Sequence, residues 1–126
     1  MKKYRKKKGT EVLAIQFNFD SDGFVYEKWG ETQRCKPGDW IVASDDDTYT
    51  VDAESFARTY QEVGPGRFFK IAAVWARLAT AAGTVPTKEG ATRYEPGDYI
   101  VCNDAEQTDC YAVSADKFEN SYEEVW

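Results

Sequence analysis

The chain has 126 residues, of which 42% are hydrophobic and 15% aromatic, and its net charge is −6. This composition predicts one folded domain and excludes the low hydrophobicity of disordered chains. Histidine is absent, which removes the commonest general base and the histidine-containing zinc sites. The odd number of cysteines and the lack of an apolar run of about 18 residues predict a cytoplasmic protein without a membrane span.

The chain begins with a basic arm, residues 1–9, which holds six of the sixteen basic residues. The rest of the chain has ten basic and twenty-two acidic residues, so its net charge is −12. Such an acidic body repels phosphate backbones, and we expect no nucleic-acid binding except through the arm. The arm itself is interpreted as a solvated or self-associated terminus.

Two pairs of segments indicate an internal repeat. RCKPGDWIV (34–42) and RYEPGDYIV (93–101) share six of nine residues, and YTVDAESFARTYQEV (49–63) and YAVSADKFENSYEEV (111–125) share seven of fifteen. EVLAIQF (11–17) matches KIAAVWA (70–76) weakly. We therefore expect two repeats, about 11–63 and 70–125, which are joined by a Gly/Pro linker near 64–67 and share one core around a pseudo-twofold axis.

Each repeat predicts the same elements in chain order. An opening strand (12–17 or 71–75) precedes a segment without a clear prediction, and a Pro-Gly-Asp turn leads into a β-branched and aromatic strand. An acidic loop and a returning strand complete a hairpin. Asp52 and Ser114 are then placed as helix N-caps, and a short closing strand follows each helix. The predicted fold is α+β, rich in strand, and made of two ββα-type units.

Three features resemble small proteins of bacteriophages and prophages: the start MKKYRKKKGTEVLAIQF, the turn PGDYIV (96–101) and the ending Y-x-V-x(4)-F-x(3)-Y-E-x-V. Those proteins commonly share a basic KYRKK arm and a PGDYI turn. The chain resembles more weakly a bacterial family named for its Pro-Gly-Asp-Tyr-Gly phrase, although Ile41 and Ile100 replace the final glycine. The resemblance implies a phage or prophage origin and transfers no functional residue.

The two Pro-Gly-Asp turns provide the first candidate site. Asp39 and Asp98 could form a carboxylate pair for acid-base chemistry if the repeats bring them together. The simpler interpretation is structural, because Pro fixes φ, Gly permits a positive φ, and Asp binds local backbone.

Aromatic and basic residues beside these turns provide the second candidate. Trp40 and Tyr99 differ between the repeats, and with Arg34 and Arg93 they could line a cleft for a ligand or a partner. The alternative is that both rings belong to the core.

Cys102 and Cys110 stand at the base of the longer hairpin loop, where paired strands would place them opposite one another. In a reducing compartment we expect two small side chains that fill a cross-strand position. A disulfide clip that acts as a redox pair is the alternative.

The sequence yields a primary hypothesis and an alternative for function. The first is a non-enzymatic phage or prophage accessory protein that binds a host or phage protein, with an acidic surface that mimics nucleic acid. The alternative is a small-molecule-binding module with a pocket between the repeats. An enzyme that relies on carboxylates comes third, and we expect no cofactor, no metal and no membrane contact.

Overall fold

The computed structural model describes residues 1–45 and 47–125, and it is a strand-rich α+β structure, as the sequence predicts. Asp46, in the predicted acidic loop, and Trp126, at the predicted closing strand, lie outside these residues. Neither helix in the described part of the chain is long and apolar enough to cross a membrane.

The first large sheet is antiparallel and lies within residues 12–70. Its strands, in spatial order, are β6 (Asp47–Val51), β5 (Trp40–Ser44), β2 (Val12–Gln16), β8 (Arg67–Lys70) and β7 (Tyr60–Gly64). A separate hairpin is formed by β3 (Phe24–Lys28) and β4 (Glu31–Cys35). Helix α1 (Ala53–Thr59) connects β6 to β7.

The second large sheet combines residues from both ends of the chain. Its strands, in spatial order, are β13 (Cys110–Val113), β12 (Tyr99–Cys102), β9 (Val74–Leu78), β1 (Lys2–Lys6) and β14 (Tyr122–Glu124). A hairpin of β10 (Gly83–Pro86) and β11 (Ala91–Tyr94) accompanies it. Helix α2 (Ala115–Ser121) connects β13 to β14.

The basic arm is therefore a sheet strand, and its interpretation as a solvated terminus is wrong. Strand β1 pairs with β9 on one side and with β14 on the other. Tyr4 faces the interior, where its ring lies 4.9 Å from that of Phe118, and Arg5 faces outward to bind Glu123 at 2.8 Å. In the second sheet β1 lies between β9 and β14, just as β8 lies between β2 and β7 in the first sheet.

Two sequence-based boundaries differ from the structure. The Gly/Pro stretch 64–67 is the turn of hairpin β7–β8 within the first sheet, not a linker between repeats. The predicted strand 71–75 begins instead at Val74, because Val74 and Ala76 are the residues buried against the sheet's core. Phe17, after β2, and Ala79, after β9, each donate a backbone hydrogen bond to the backbone carbonyl of a turn aspartate, Asp39 or Asp98.

Both helices begin where the sequence predicts. Asp52 caps α1 by accepting from the backbone N–H groups of Glu54 and Ser55, whereas Ser114 occupies the N-cap of α2 without a side-chain bond. Each helix buries one phenylalanine, Phe56 or Phe118, against its sheet.

The described residues form two apolar clusters rather than the single shared core that the sequence predicts. One cluster contains Val42 and Phe56 on the first sheet, and the other contains Val101 and Phe118 on the second. The physical reason is that each helix is joined to its sheet by short connections and seals that sheet's own inner face. Contacts between the two halves are left to polar side chains and small hairpins.

Candidate ligand-binding cavity

Both Pro-Gly-Asp segments form the predicted turns. Gly38 and Gly97 have φ values of 94° and 95°, a region that favours glycine. Asp39 accepts a hydrogen bond from the backbone N–H of Lys36 at 2.8 Å, and Asp98 accepts from that of Glu95 at 2.9 Å. The aspartates therefore shape the start of each following strand.

The two turn aspartates have different surroundings. Asp39 is 1% exposed and is bound by the Lys36 ammonium at 3.1 Å, whereas Asp98 lines a cavity described below. No contact joins the two carboxylates among the described residues, so the structure contains no dyad of the predicted kind.

Trp40 and Tyr99 lie in different clusters and do not face one cleft. Trp40 stacks on Phe56 at 4.3 Å between ring centroids, and Tyr99 stacks on Phe118 at 4.2 Å. Each ring packs on the helix of its own half, and this contact explains why both positions hold a large aromatic residue.

Arg34 and Arg93, the two arginines of the predicted cleft, make different contacts. Arg34 is exposed and donates to the backbone carbonyl of Asp22. Arg93 lines the cavity, with its guanidinium 3.4 Å from the Glu31 carboxylate. The predicted cleft of Trp40, Tyr99, Arg34 and Arg93 is not assembled in the structure.

Cys102 and Cys110 are directly paired on β12 and β13, with Cα atoms 4.0 Å apart, and they form a disulfide. The expectation of two reduced cysteines is therefore wrong. Antiparallel pairing of β12 and β13 brings the two sulfur atoms close enough to form a bond. Whether the pair serves as a redox switch stays a prediction, and so does the cytoplasmic location. Cys35 is buried and unbonded.

A cavity of about 430 Å³ lies between the two large sheets. Its walls include the edge strands β6 and β13, which carry Tyr49 and Tyr111, and the strand ends that carry Lys6 and Lys70. The connection before β11 contributes Glu89. Residues from both halves of the chain therefore build one concavity, which the repeat pattern alone does not locate.

Lys70 is the most unusual group of the cavity wall. It is 5% exposed, and its ammonium donates to Asn103 Oδ1 at 2.7 Å, Tyr111 Oη at 3.0 Å and Tyr122 Oη at 3.4 Å. All three acceptors are uncharged and lie in the other half of the chain. Burial, followed by the positive charge of Lys6, lowers the pKa of Lys70 to about 7.

Lys6 occupies the equivalent place on β1. Its Nζ atom lies 4.8 Å from the centroid of the Tyr122 ring, and Lys70 Nζ lies 5.9 Å from the same centroid. Burial lowers the pKa of Lys6, and the carboxylate of Asp45 opposes this effect. Two ammonium groups thus share one aromatic ring at the cavity wall, a cation–π arrangement.

Glu89 contributes a carboxyl group to the cavity wall. Glu89 accepts a hydrogen bond from the backbone N–H of Asp52 at 2.8 Å. Burial raises the pKa of Glu89 to about 7, and the charges of Asp39 and Asp52 act in the same direction while Lys36 opposes them. In residues 1–45 and 47–125, no three acidic or cysteine side chains are grouped closely enough to hold a metal ion.

The sequence-based search missed Lys6, Lys70 and Glu89. A signal was present for the lysines, because Tyr4-Arg-Lys6 and Phe68-Phe-Lys70 both place a lysine two residues after an aromatic residue that points inward. That spacing puts both side chains on one face of a strand. Glu89 gives no comparable signal, because its burial depends on contacts between the two halves.

Comparison with known proteins gives no match: no family model, no curated protein and no solved structure is significantly similar to this chain. The phage or prophage resemblance of the sequence therefore stays a prediction.

Proposed function

We propose that this protein is a non-enzymatic binding module that holds a small molecule in the cavity between β6 and β13. The observation that carries this proposal is the 430 Å³ cavity itself, because ligand sites are typically concavities of about 300–1,000 Å³ with a few convergent polar groups. Groups with perturbed pKa values, such as Lys70 and Glu89 here, are typical of such sites.

We further infer that the two sheets belong to duplicated units with an approximate twofold relation and that the ligand lies between these units. The strand orders support this inference, because β1 takes the place in one sheet that β8 takes in the other. The pairs Tyr4 with Phe118 and Phe68 with Phe56 have similar ring separations, 4.9 and 5.0 Å. Duplicated units of this kind offer a ligand two similar walls.

Fragment screening by ¹⁵N-edited NMR tests the proposal. We expect bound fragments to shift the amide signals of cavity residues, and we expect Ser44→Trp, at the cavity wall, to abolish these shifts by filling the space. Ser21→Trp is the matched control, because Ser21 is exposed and outside the cavity lining. Fragments that bind elsewhere, or that still bind after Ser44→Trp, contradict the proposal.

A protein partner is the second candidate, and one specific observation favours it. Leu13, Ile15 and Val25 are 58–66% exposed, and Phe19 is 75% exposed, although such large side chains are usually buried. Together with the acidic composition, these exposed side chains support the hypothesis of an accessory protein that binds a host or phage protein.

A pulldown from bacterial lysate at low and high salt separates the possible modes of protein binding. Retention that persists at high salt and is lost on Phe19→Ser supports binding through the apolar surface. Retention that is lost at high salt and unaffected by Phe19→Ser supports binding through acidic groups, since exposed charges are screened by salt. The absence of any partner at low salt contradicts both modes.

A further inference from the structure

Deepening the proposed function, on which this inference rests, we propose that the cavity binds an organic anion whose carboxylate or phosphate group lies against Lys6 and Lys70. The inference concerns the chemical class of the ligand and the residues that select it. It follows from the placement of two ammonium groups in one partly enclosed space.

The first argument is that the two lysines face a common position. Both ammonium groups lie within 6 Å of the Tyr122 ring centroid, at 4.8 Å for Lys6 and 5.9 Å for Lys70. Within the described part of the chain, the Lys6 ammonium makes no hydrogen bond, and neither ammonium has a carboxylate within 4.0 Å. An oxyanion beside Tyr122 would give Lys6 a charged partner. The Lys70 ammonium already donates all three of its N–H groups, so an oxyanion would stabilise its charge or displace its longest bond, the one to Tyr122 Oη at 3.4 Å.

The second argument concerns the tyrosine hydroxyls. Tyr111 and Tyr122 accept hydrogen bonds from Lys70, and their oxygens lie 3.3 Å apart. Since only one of the two protons can lie between these oxygens, the other proton is available to a ligand. Lysine and tyrosine together therefore offer an anion both charge and a directed donor.

The third argument is that two of the nearby acids, Asp47 and Asp109, have other basic partners, whereas Asp45 acts on Lys6 from more than 4.0 Å away. Asp47 is bound by Lys28 at 2.6 Å and by Lys117 at 3.1 Å, and Asp109 is bound by Arg58 at 3.1 Å. These pairs weaken the effect of Asp47 and Asp109 on the two lysines. Burial still lowers the pKa of both Lys6 and Lys70 despite the nearby carboxylates, so an additional negative charge beside them is favoured.

Benzoate and benzamide form the central comparison, because they share shape and differ in charge. We expect benzoate to bind at least about tenfold more tightly, the effect of one charge-assisted hydrogen bond. Phenyl phosphate, titrated in parallel, distinguishes phosphate from carboxylate as the preferred group. Isothermal titration gives the affinities, and NMR shifts of cavity amides establish the location.

Lysine variants test which residues select the anion. Lys6→Met and Lys70→Met should each weaken benzoate binding about tenfold or more while leaving benzamide binding within about twofold. Lys3→Met is the matched control, because Lys3 lies on the same strand but outside the cavity lining, over Trp75. Its benzoate affinity should equal that of the unchanged protein.

Binding should also take up a proton. The charged or titratable groups that face Lys70 are Lys6 on β1, Arg58 on α1, Tyr60 on β7, Asp109 before β13, Tyr111 on β13 and Tyr122 on β14. A bound anion stabilises the charged form of Lys70, so benzoate affinity should fall as pH rises from about 7 to 9. Lys70→Met should remove this dependence, whereas Glu89→Gln should keep it.

The outcomes separate the two proposals. Equal affinity for benzoate and benzamide in the cavity, or unchanged benzoate binding in both lysine variants, overturns the anion proposal and leaves the cavity function standing. Binding of none of the three probes overturns the anion proposal, while neutral or cationic fragments found in the cavity by NMR would still support the proposed function. Lys6→Met keeps the test decisive if Lys70→Met does not fold.

Discussion

The free energy of unfolding should depend on pH in two opposite ways, one caused by Glu89 and the other by Lys70. The variants Lys70→Met and Glu89→Gln should separate these two effects. In the folded chain Lys70 has a pKa of about 7, against 10.5 for an ordinary lysine, and Glu89 has a pKa of about 7, against 4.5 for an ordinary glutamate. Burial is the first cause of both differences. The free energy of unfolding should therefore have a minimum near pH 7.

The signs follow from which state holds the proton. Between pH 4.5 and about 7 the folded chain keeps the Glu89 proton and the unfolded chain has lost it, so stability falls as pH rises. Between about 7 and 10.5 the unfolded chain keeps the Lys70 proton and the folded chain has lost it, so stability rises with pH.

The magnitude follows from about 1.4 kcal/mol per pH unit for each proton. We expect the free energy of unfolding to fall by about 2 kcal/mol from pH 5 to 7 and to rise by about 2 kcal/mol from pH 7 to 9. Exposure of part of Glu89 to solvent makes the acidic limb the shallower of the two. Over the whole range up to 10.5, Lys70 alone corresponds to about 5 kcal/mol.

Urea unfolding at half-unit pH steps, with the disulfide intact, measures the curve. Lys70→Met should flatten the alkaline limb, and it should be more stable than the unchanged chain at pH 7 because an unpaired buried charge is removed. Glu89→Gln should flatten the acidic limb only. A monotonic curve for the unchanged chain, or an alkaline limb that survives Lys70→Met, would refute the reasoning.

Three further perturbations test other parts of the structure. Replacing Cys102 and Cys110 by serine should lower the free energy of unfolding by about 2–3 kcal/mol, as expected for a short closed loop, and urea titration with and without reductant measures this. Tyr4→Ala should cost about 2 kcal/mol through lost burial, and hydrogen exchange should then accelerate in the second sheet before the first; uniform acceleration would contradict the sheet assignment. Gly90→Ala should destabilise the contact between the two halves, because its Cβ would overlap the carbonyl oxygen of Thr32. Amide shifts concentrated in β4 and β11 would show that effect, and unchanged shifts there would contradict it.

Local signals in the sequence predicted the elements that depend on neighbouring residues. The turns at Gly38 and Gly97 and the cap at Asp52 appear as expected. Each is determined by backbone preferences within a few residues.

The candidate site could not be predicted in the same way, because its parts are distant in sequence. Lys6 and Lys70 are separated by sixty-four positions, and only the sheet order places both beside Tyr122. Trp40 and Tyr99 differ between the two repeats and were predicted to line a shared cleft, yet each packs on the helix of its own half. Variation within a repeat therefore did not mark the surface that the two halves share.

The sequence by itself determined the strand-rich composition, the repeated turns and hairpins, and the helical faces, since these depend on short-range preferences. Only the tertiary structure decided that the basic arm is a strand, because the place between β9 and β14 is filled from the far end of the chain. The same nonlocal pairing carries Lys6 to the cavity wall. Short-range preferences contain no information about such a pairing, whose stability depends on Tyr4 meeting the core around Phe118.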